Sequence, residues 1–142
     1  MKNTFLDYGY SKEEIENRVN DTFYAIFEGH NRFYFDGINE TGYFMDTGNC
    51  DARTEGMSYG MLMCVLMDKK EYFDKMWKFS MDFMYMDEGY LKGYFAWSVA
   101  PDGKKNAKFR MQNAKLYFVF LGFCPSFNPF DFPLFPAFFS ML

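Results

Sequence analysis

Asp46-Thr-Gly-Asn-Cys-Asp-Ala-Arg-Thr-Glu-Gly-Met-Ser-Tyr-Gly-Met61 is the stretch on which the reading of this chain turns. From residue 56 to 67 nearly every side chain is apolar or small, with Ser58 the main exception. That pattern predicts a helix buried on most of its circumference. Glu55 stands where the loop meets this helix, beside Gly56 and close to Tyr59. Two readings of it are open. A carboxylate held accessible at the head of a buried helix suits an acid catalyst, and a glutamate in a first helical turn is also simply favoured by the helix dipole.

Outward from this stretch, Lys69-Lys70 breaks the apolar run. Phe73, Trp77, Met81 and Met84 then recur on one face, with Asp74, Lys75, Lys78 and Asp82 elsewhere. The spacing predicts an amphipathic helix, the outer partner of the buried one. Upstream, Ser11-Lys-Glu-Glu14 has the capping-box pattern, and Ile15, Val19, Phe23, Ile26 and Phe27 follow at helical spacing. A helix over residues 11–28 is expected, ended by Gly29. Between them, Gly37, Gly42 and Gly48 separate the aromatic runs Phe33-Tyr-Phe35 and Tyr43-Phe-Met45. This reads as an irregular or hairpin-like crossing whose alternation is too weak to predict a strand. Further on, Gly89 and Gly93 frame a loop, Tyr94-Phe-Ala-Trp-Ser98 reads as a short extended segment, and Pro101-Asp-Gly103 as a turn.

Composition narrows the function classes. A chain of 142 residues favours a single domain. Its net charge of −4, with Lys and Arg scattered among acids, provides no basic face for nucleic acid. A neutral partner such as a sugar fits better. Aromatic residues make up 23% of the chain, and aromatic faces serve sugar clefts because a pyranose ring packs its C–H groups on a π surface. Any single Phe is more readily explained by core packing. Cys50, Cys64 and Cys124 are odd in number and lack metal-ligand spacing, and His30 is the only histidine. Reduced thiols are expected, with neither metal nor cofactor. The first residues hold early acids and no apolar run of the secretory type, so a cytoplasmic location is expected. The apolar piece at 116–124 is shorter than the roughly 20 residues a bilayer requires, so no membrane anchor is expected.

Taken together, the Asp46 to Met61 segment, Gly9-Tyr10-Ser11, Tyr94-Phe-Ala-Trp-Ser98 and Pro101-Asp-Gly103 resemble glycoside hydrolase family 8 over roughly the first three-quarters of the chain. Within it, they look like the subgroup of exo-enzymes that release xylose from the reducing end of xylo-oligosaccharides. The resemblance implies an all-α fold, here the first helices of a six-hairpin (α/α)6 toroid. It implies an inverting hydrolysis with Glu55 as general acid, an oligosaccharide as substrate, Trp97 stacking on a bound sugar, and Tyr94 as a further aromatic contact. Asp51 and Arg53 would shape the cleft by hydrogen bonds or an ion pair. For Trp97, Asp51 and Arg53 a purely structural role stands open beside these. The family's general-base aspartate falls beyond residue 142, and Asp102 and Asp131 match nothing that would replace it. An endo-acting β-1,4-glucanase or chitosanase of the same family and a non-catalytic remnant are the alternatives.

Beyond residue 108 the character changes: Phe recurs at every second or third position and Pro125, Pro129, Pro133 and Pro136 interrupt any periodicity. Where the family carries a Pro-Ala-Pro-Asp-(Gly or Ala)-Glu-Glu segment, this chain reads Phe109-Arg-Met-Gln-Asn113. The codons TTC CGG ATG CAG AAC encode it, and reading from their third base gives Pro-Asp-Ala-Glu. Residues 1–108 are therefore taken as the N-terminal part of a family 8 catalytic domain and 109–142 as an aberrant tail from a shifted frame.

Overall fold

The computed structural model describes residues 3–104, in which helices pack around a four-stranded antiparallel sheet. The strands β1 (Tyr34–Asp36), β2 (Gly42–Asp46), β3 (Asp51–Arg53) and β4 (Ser98–Val99) lie side by side in that order. The expectation of an all-α fold is corrected for these residues. Its failure has a physical cause in β2, where Gly42, Tyr43 and Phe44 are all buried. Phe44 packs on Phe27 with ring centroids 5.1 Å apart, while Tyr43 packs on Phe79 at 5.3 Å. Successive strand side chains point to opposite faces, so a strand covered on both reads as an apolar run and loses the alternation that announces it. The expectations for the segment beyond residue 108 lie outside the described residues.

A single turn, α1 (Thr4–Asp7), precedes α2 (Lys12–Phe27). The capping box forms as the sequence predicts: Glu14 N donates to Ser11 Oγ at 3.2 Å, and Ser11 N donates to the Glu14 carboxylate at 2.8 Å. The backbone bond, then the hydroxyl bond, hold the Glu14 carboxyl below the usual carboxylate range. Only the far end of α2 docks, through Phe23 and Phe27, whose rings stack at 4.1 Å. Val19 remains exposed. The helix closes where Glu28 N and Gly29 N both donate to the Tyr24 carbonyl at 2.8 Å. A Cβ at Gly29 would stand 2.8 Å from the Ala25 carbonyl oxygen, which explains the glycine.

The buried helix α3 (Thr54–Leu66) starts ahead of the apolar run, because the first turn leaves its N–H groups without helical partners and tolerates polar side chains there. It lies against β2 through Gly56 and Gly60. Tyr59, Leu62 and Leu66, at helical spacing, remain exposed on its other side. The outer partner α4 (Lys70–Phe79) packs on α3 and runs on into a π turn, Ser80–Met84. Ser80 Oγ donates to the Met76 carbonyl at 3.0 Å, and Tyr85 N reaches back to the Ser80 carbonyl at 2.8 Å. Its deepest residues are Phe73, Met76, Phe79, Ser80 and Met84, with Trp77 and Met81 half-buried at the flank. The face is turned from the expected one because Phe79 is the residue that meets Tyr43.

After the π turn the chain makes an excursion and returns. Met86 N donates to the Tyr94 carbonyl at 2.9 Å and Ala96 N to the Met84 carbonyl at 2.7 Å. The turn itself uses Gly89 and Gly93 at φ +73° and +89°, a region glycine enters without steric cost. The return delivers β4 alongside β3, pairing Ala52 with Val99 and Arg53 with Ser98. Among the described residues no helix is long and apolar enough to cross a membrane.

The closeness of α3 to β2 gives a test with opposite signs at two glycines. A Cβ at Gly60 would meet the Phe44 ring at 2.7 Å and Met76 Sδ at 3.0 Å. Gly60→Ala is therefore expected to cost about 1–3 kcal/mol through overpacking. At Gly56 the nearest atom, Phe44 Cβ, is at an ordinary 3.5 Å. Gly56→Ala should gain roughly 0.5–1 kcal/mol from reduced chain entropy. Denaturant midpoints of the two variants decide it, and equal stability would mean the packing is looser than described.

Candidate active site

Four backbone devices assemble the region around Glu55. The first is the turn from β2 into β3. Asp46 Oδ1 accepts from Gly48 N at 3.0 Å, Asn49 N at 2.9 Å and Asn49 Nδ2 at 3.0 Å. Those bonds, the Asn49 side chain foremost, together with the nearby Arg53 cation, hold the Asp46 carboxyl below its ordinary range. Cys50 takes a left-handed conformation at φ +55° to close the turn. The second device is β3, whose alternation puts Asp51 and Arg53 on one face and the fully buried Ala52 on the other. The third is the head of α3, which carries Glu55. The fourth is β4 with the preceding Trp97, whose carbonyl accepts from Thr54 N at 3.1 Å.

The side chains form one connected group. Asp51 is 5% exposed and has both carboxylate oxygens engaged: Arg53 Nε donates to Oδ1 at 3.0 Å, and Ser98 Oγ donates to Oδ2. Arg53 also pairs with Asp46, Nη1 to Oδ2 at 3.5 Å. Its guanidinium carbon lies 4.6 Å from the centre of the Trp97 ring, a cation–π stack. The Trp97 indole in turn donates from Nε1 to both oxygens of Glu55, at 2.9 and 3.0 Å. Thr54 Oγ1 adds a bond to Glu55 Oε2 at 3.2 Å. Glu55 itself is exposed to solvent. Beside it opens a cleft of about 290 Å³ lined by Phe44, Met45, Asp46, Arg53, Glu55 and Gly56. That volume is at the small end of ligand pockets.

Of the residues singled out from the sequence, Glu55, Trp97, Arg53 and Asp51 are brought together, although Trp97 is 42 residues from Glu55. Asp51 sits behind Arg53 as a buried anchor, away from the cleft surface. Tyr94 is not part of the group. Its backbone serves the excursion by bonding Met86 and Leu91. Among the described residues its side chain shares no hydrogen bond or ring contact with Glu55, Arg53 or Trp97. Asp46, Phe44, Met45 and Ser98 are the residues that sequence reasoning passed over. Asp46 had a signal, an acid followed by Thr-Gly-Asn in a turn. Ser98 had none, because its partner is remote in sequence. Asp102 pairs with its neighbour Lys104 at 2.7 Å, on the surface. Among the described residues no cluster of three or more potential metal ligands occurs.

With this geometry in hand, comparison with known proteins is unambiguous about class. The model of glycosyl hydrolases family 8 matches residues 23–115, and the chain belongs to that family. More specifically, it is 51% identical over 109 residues to the reducing end xylose-releasing exo-oligoxylanase of Halalkalibacterium halodurans, covering 75% of this chain and 28% of that protein. A protein of the same description from Bifidobacterium adolescentis is 46% identical over 114 residues, covering 80% of this chain and 30% of its own length. Among solved structures, the crystal structure of a reducing-end-xylose releasing exo-oligoxylanase complexed with xylose superposes with a TM-score of 0.70 at 51% identity, over 75% of this chain and 29% of that one. The chain thus spans less than a third of the relatives it matches.

The anchoring role of Asp51 can be measured directly. Asp51 is buried, while Arg53 is partly exposed and keeps Asp46, so Asp51→Ala should cost about 3 kcal/mol, the low end for breaking a buried pair. Ser98→Ala, which leaves one buried carboxylate oxygen without its donor, should cost about 1–3 kcal/mol. Asp102→Ala on the surface should change stability by less than about 0.5 kcal/mol. Thermal unfolding of the three variants tests this order, and an Asp51→Ala protein as stable as Asp102→Ala would refute the anchor.

Proposed function

We propose that residues 1–108 are the N-terminal part of a catalytic domain that hydrolyses xylo-oligosaccharides, releasing xylose from the reducing end with inversion. The observation that carries this reading is the exposed Glu55 carboxylate, held by the Trp97 indole N–H at the rim of a cleft walled by Arg53 and Asp46. The 51% identity to a reducing end xylose-releasing exo-oligoxylanase supports the substrate class. In the proposed fold, α3 and α4 are the first inner and outer helices of an (α/α)6 toroid. A helix apolar on all sides, as α3 is, belongs inside a larger structure, which the exposed Tyr59, Leu62 and Leu66 also indicate.

The chemistry assigned to Glu55 is general-acid catalysis. Its carboxyl gives a proton to the bridging oxygen as the bond from that oxygen to the sugar carbon breaks. A water on the opposite face attacks the carbon and loses its proton to a second carboxylate, roughly 6.5–9.5 Å from the first in inverting enzymes. That carboxylate is assigned outside these residues, so the 142-residue chain by itself is expected to be inactive. Arg53 forms the wall of the sugar site and Trp97 its neighbour, Asp51 acts by holding Arg53, and Tyr94 is the most peripheral of the proposed substrate contacts.

In a full-length family 8 enzyme carrying residues 1–108 of this sequence, Glu55→Gln should lower turnover by about 10²–10⁴-fold with binding of xylo-oligosaccharide retained, since the amide keeps the shape and loses the proton. Products from intact and end-reduced xylotriose, analysed in parallel, check the direction of attack. Near-normal turnover of Glu55→Gln would remove it from the acid role, and equal cleavage of the reduced substrate would remove the reducing-end specificity.

The tail is proposed to be a displaced reading frame that begins near residue 108, supported by the Pro-Asp-Ala-Glu latent across Phe109-Arg-Met-Gln-Asn113. Sequencing the gene across and beyond this point is expected to show family 8 sequence continuing in another frame. No such sequence in any frame would sink the idea.

A further inference from the structure

We propose that Arg53 is a positioning residue for the proton donor: clamped between Asp46 and Asp51, it fixes the plane of Trp97 so that the indole N–H meets Glu55. The inference rests on the reading of Glu55 as the acid, and adds a residue that acts on it through another side chain. Three features of the geometry carry it. Arg53 is held from two sides, by the buried Asp51 at 3.0 Å and by Asp46 at 3.5 Å, so its guanidinium has little freedom to turn. Its guanidinium carbon lies over the Trp97 ring, 4.6 Å from the ring centre. The indole edge then reaches both Glu55 oxygens at nearly equal distance, 2.9 and 3.0 Å.

The planar guanidinium is what makes the arrangement specific. Its edge donates to carboxylates while its face packs on an aromatic ring, so one residue can fix the tilt of its neighbour. A lysine offers the same charge as a rotating point and cannot define a plane. Trp97 keeps its own N–H proton throughout. When Glu55 is protonated, one oxygen accepts the indole bond and the proton sits on the other. When the proton has gone to the leaving oxygen, the indole bond remains on the carboxylate. The register of β3 against β4 sets Arg53 opposite Ser98, and both donate to the buried Asp51.

The chain contains two tryptophans, Trp77 and Trp97, which makes the indole N–H resonances a direct readout in the 142-residue protein as it stands. In ¹⁵N spectra the Trp97 indole signal, assigned with Trp97→Phe, should shift in Glu55→Gln, because its two carboxylate acceptors become an amide. Arg53→Lys should move the Trp97 signal toward its position in Glu55→Gln while the Trp77 signal stays in place. Asp46→Asn, which keeps an acceptor for the turn and weakens one side of the clamp, should move it the same way by less. An unmoved Trp97 signal in Arg53→Lys and Asp46→Asn would overturn the proposal, and so would loss of both indole signals together in Arg53→Lys, since that assigns Arg53 to folding. Loss of hydrolysis in Glu55→Gln is read separately, so an acid role that fails leaves the indole result standing as it is.

Discussion

The antiparallel pairing of β3 with β4 is the constraint from which the site follows. Ala52 opposite Val99 and Arg53 opposite Ser98 set the register. A slip of one residue would send every side chain of the strand to the other face of the sheet. In the observed register Asp51 and Ser98 meet beneath the surface, Arg53 rises over them, and Trp97 arrives at the head of α3 where Glu55 begins the helix. Each of the later contacts, from the guanidinium stack to the indole bond, needs that register. The excursion through Gly89 and Gly93 makes it reachable, because it turns the chain back after the π turn and lets β4 enter beside β3.

Electrostatics at this corner of the molecule serve geometry more than stability. A partly buried arginine between two carboxylates gains Coulomb energy but loses hydration, so such groups add little net stability while being costly to break. What they do achieve is orientation. Asp46 is committed by three donors of its own turn, Asp51 by Arg53 and Ser98, and the cation they share lies over the Trp97 ring. The rigidity of the turn therefore reaches Glu55 through two side chains without any direct bond from Arg53 to it. The cleft lies on the accessible side of the same group.

The packing underneath is aromatic and thioether-rich. Phe27 meets Tyr34, Phe44 and Tyr72, and Tyr34 meets Tyr72, with centroids between 4.8 and 5.6 Å apart and largely edge to face, while Met57, Met61 and Met76 fill the space between α3, α4 and the sheet. Burial pushes the Cys64 thiol up to about 12, as expected of a thiol embedded among these apolar groups. The opposite side of α3 tells another story, with Tyr59, Leu62 and Leu66 facing solvent.

Local signals in the sequence determined much of this protein. Capping at Ser11 and Glu14, the apolar run after Glu55, the break at Lys69-Lys70 and the turn at Pro101-Asp-Gly103 are properties of neighbouring residues, so they were legible and they appear where expected. The wording around Glu55 also determined the family. What the sequence did not disclose was the sheet, because β2 is covered on both faces and shows no alternation, and because β3 and β4 are too short to announce themselves. Nor could it say that Asp51 is an anchor, that Ser98 is its donor, or that Tyr94 stands apart while Trp97 reaches Glu55. Those assignments depend on strands distant in the chain being set side by side in one register, and only the tertiary structure, by closing that distance, decides which side chains can touch.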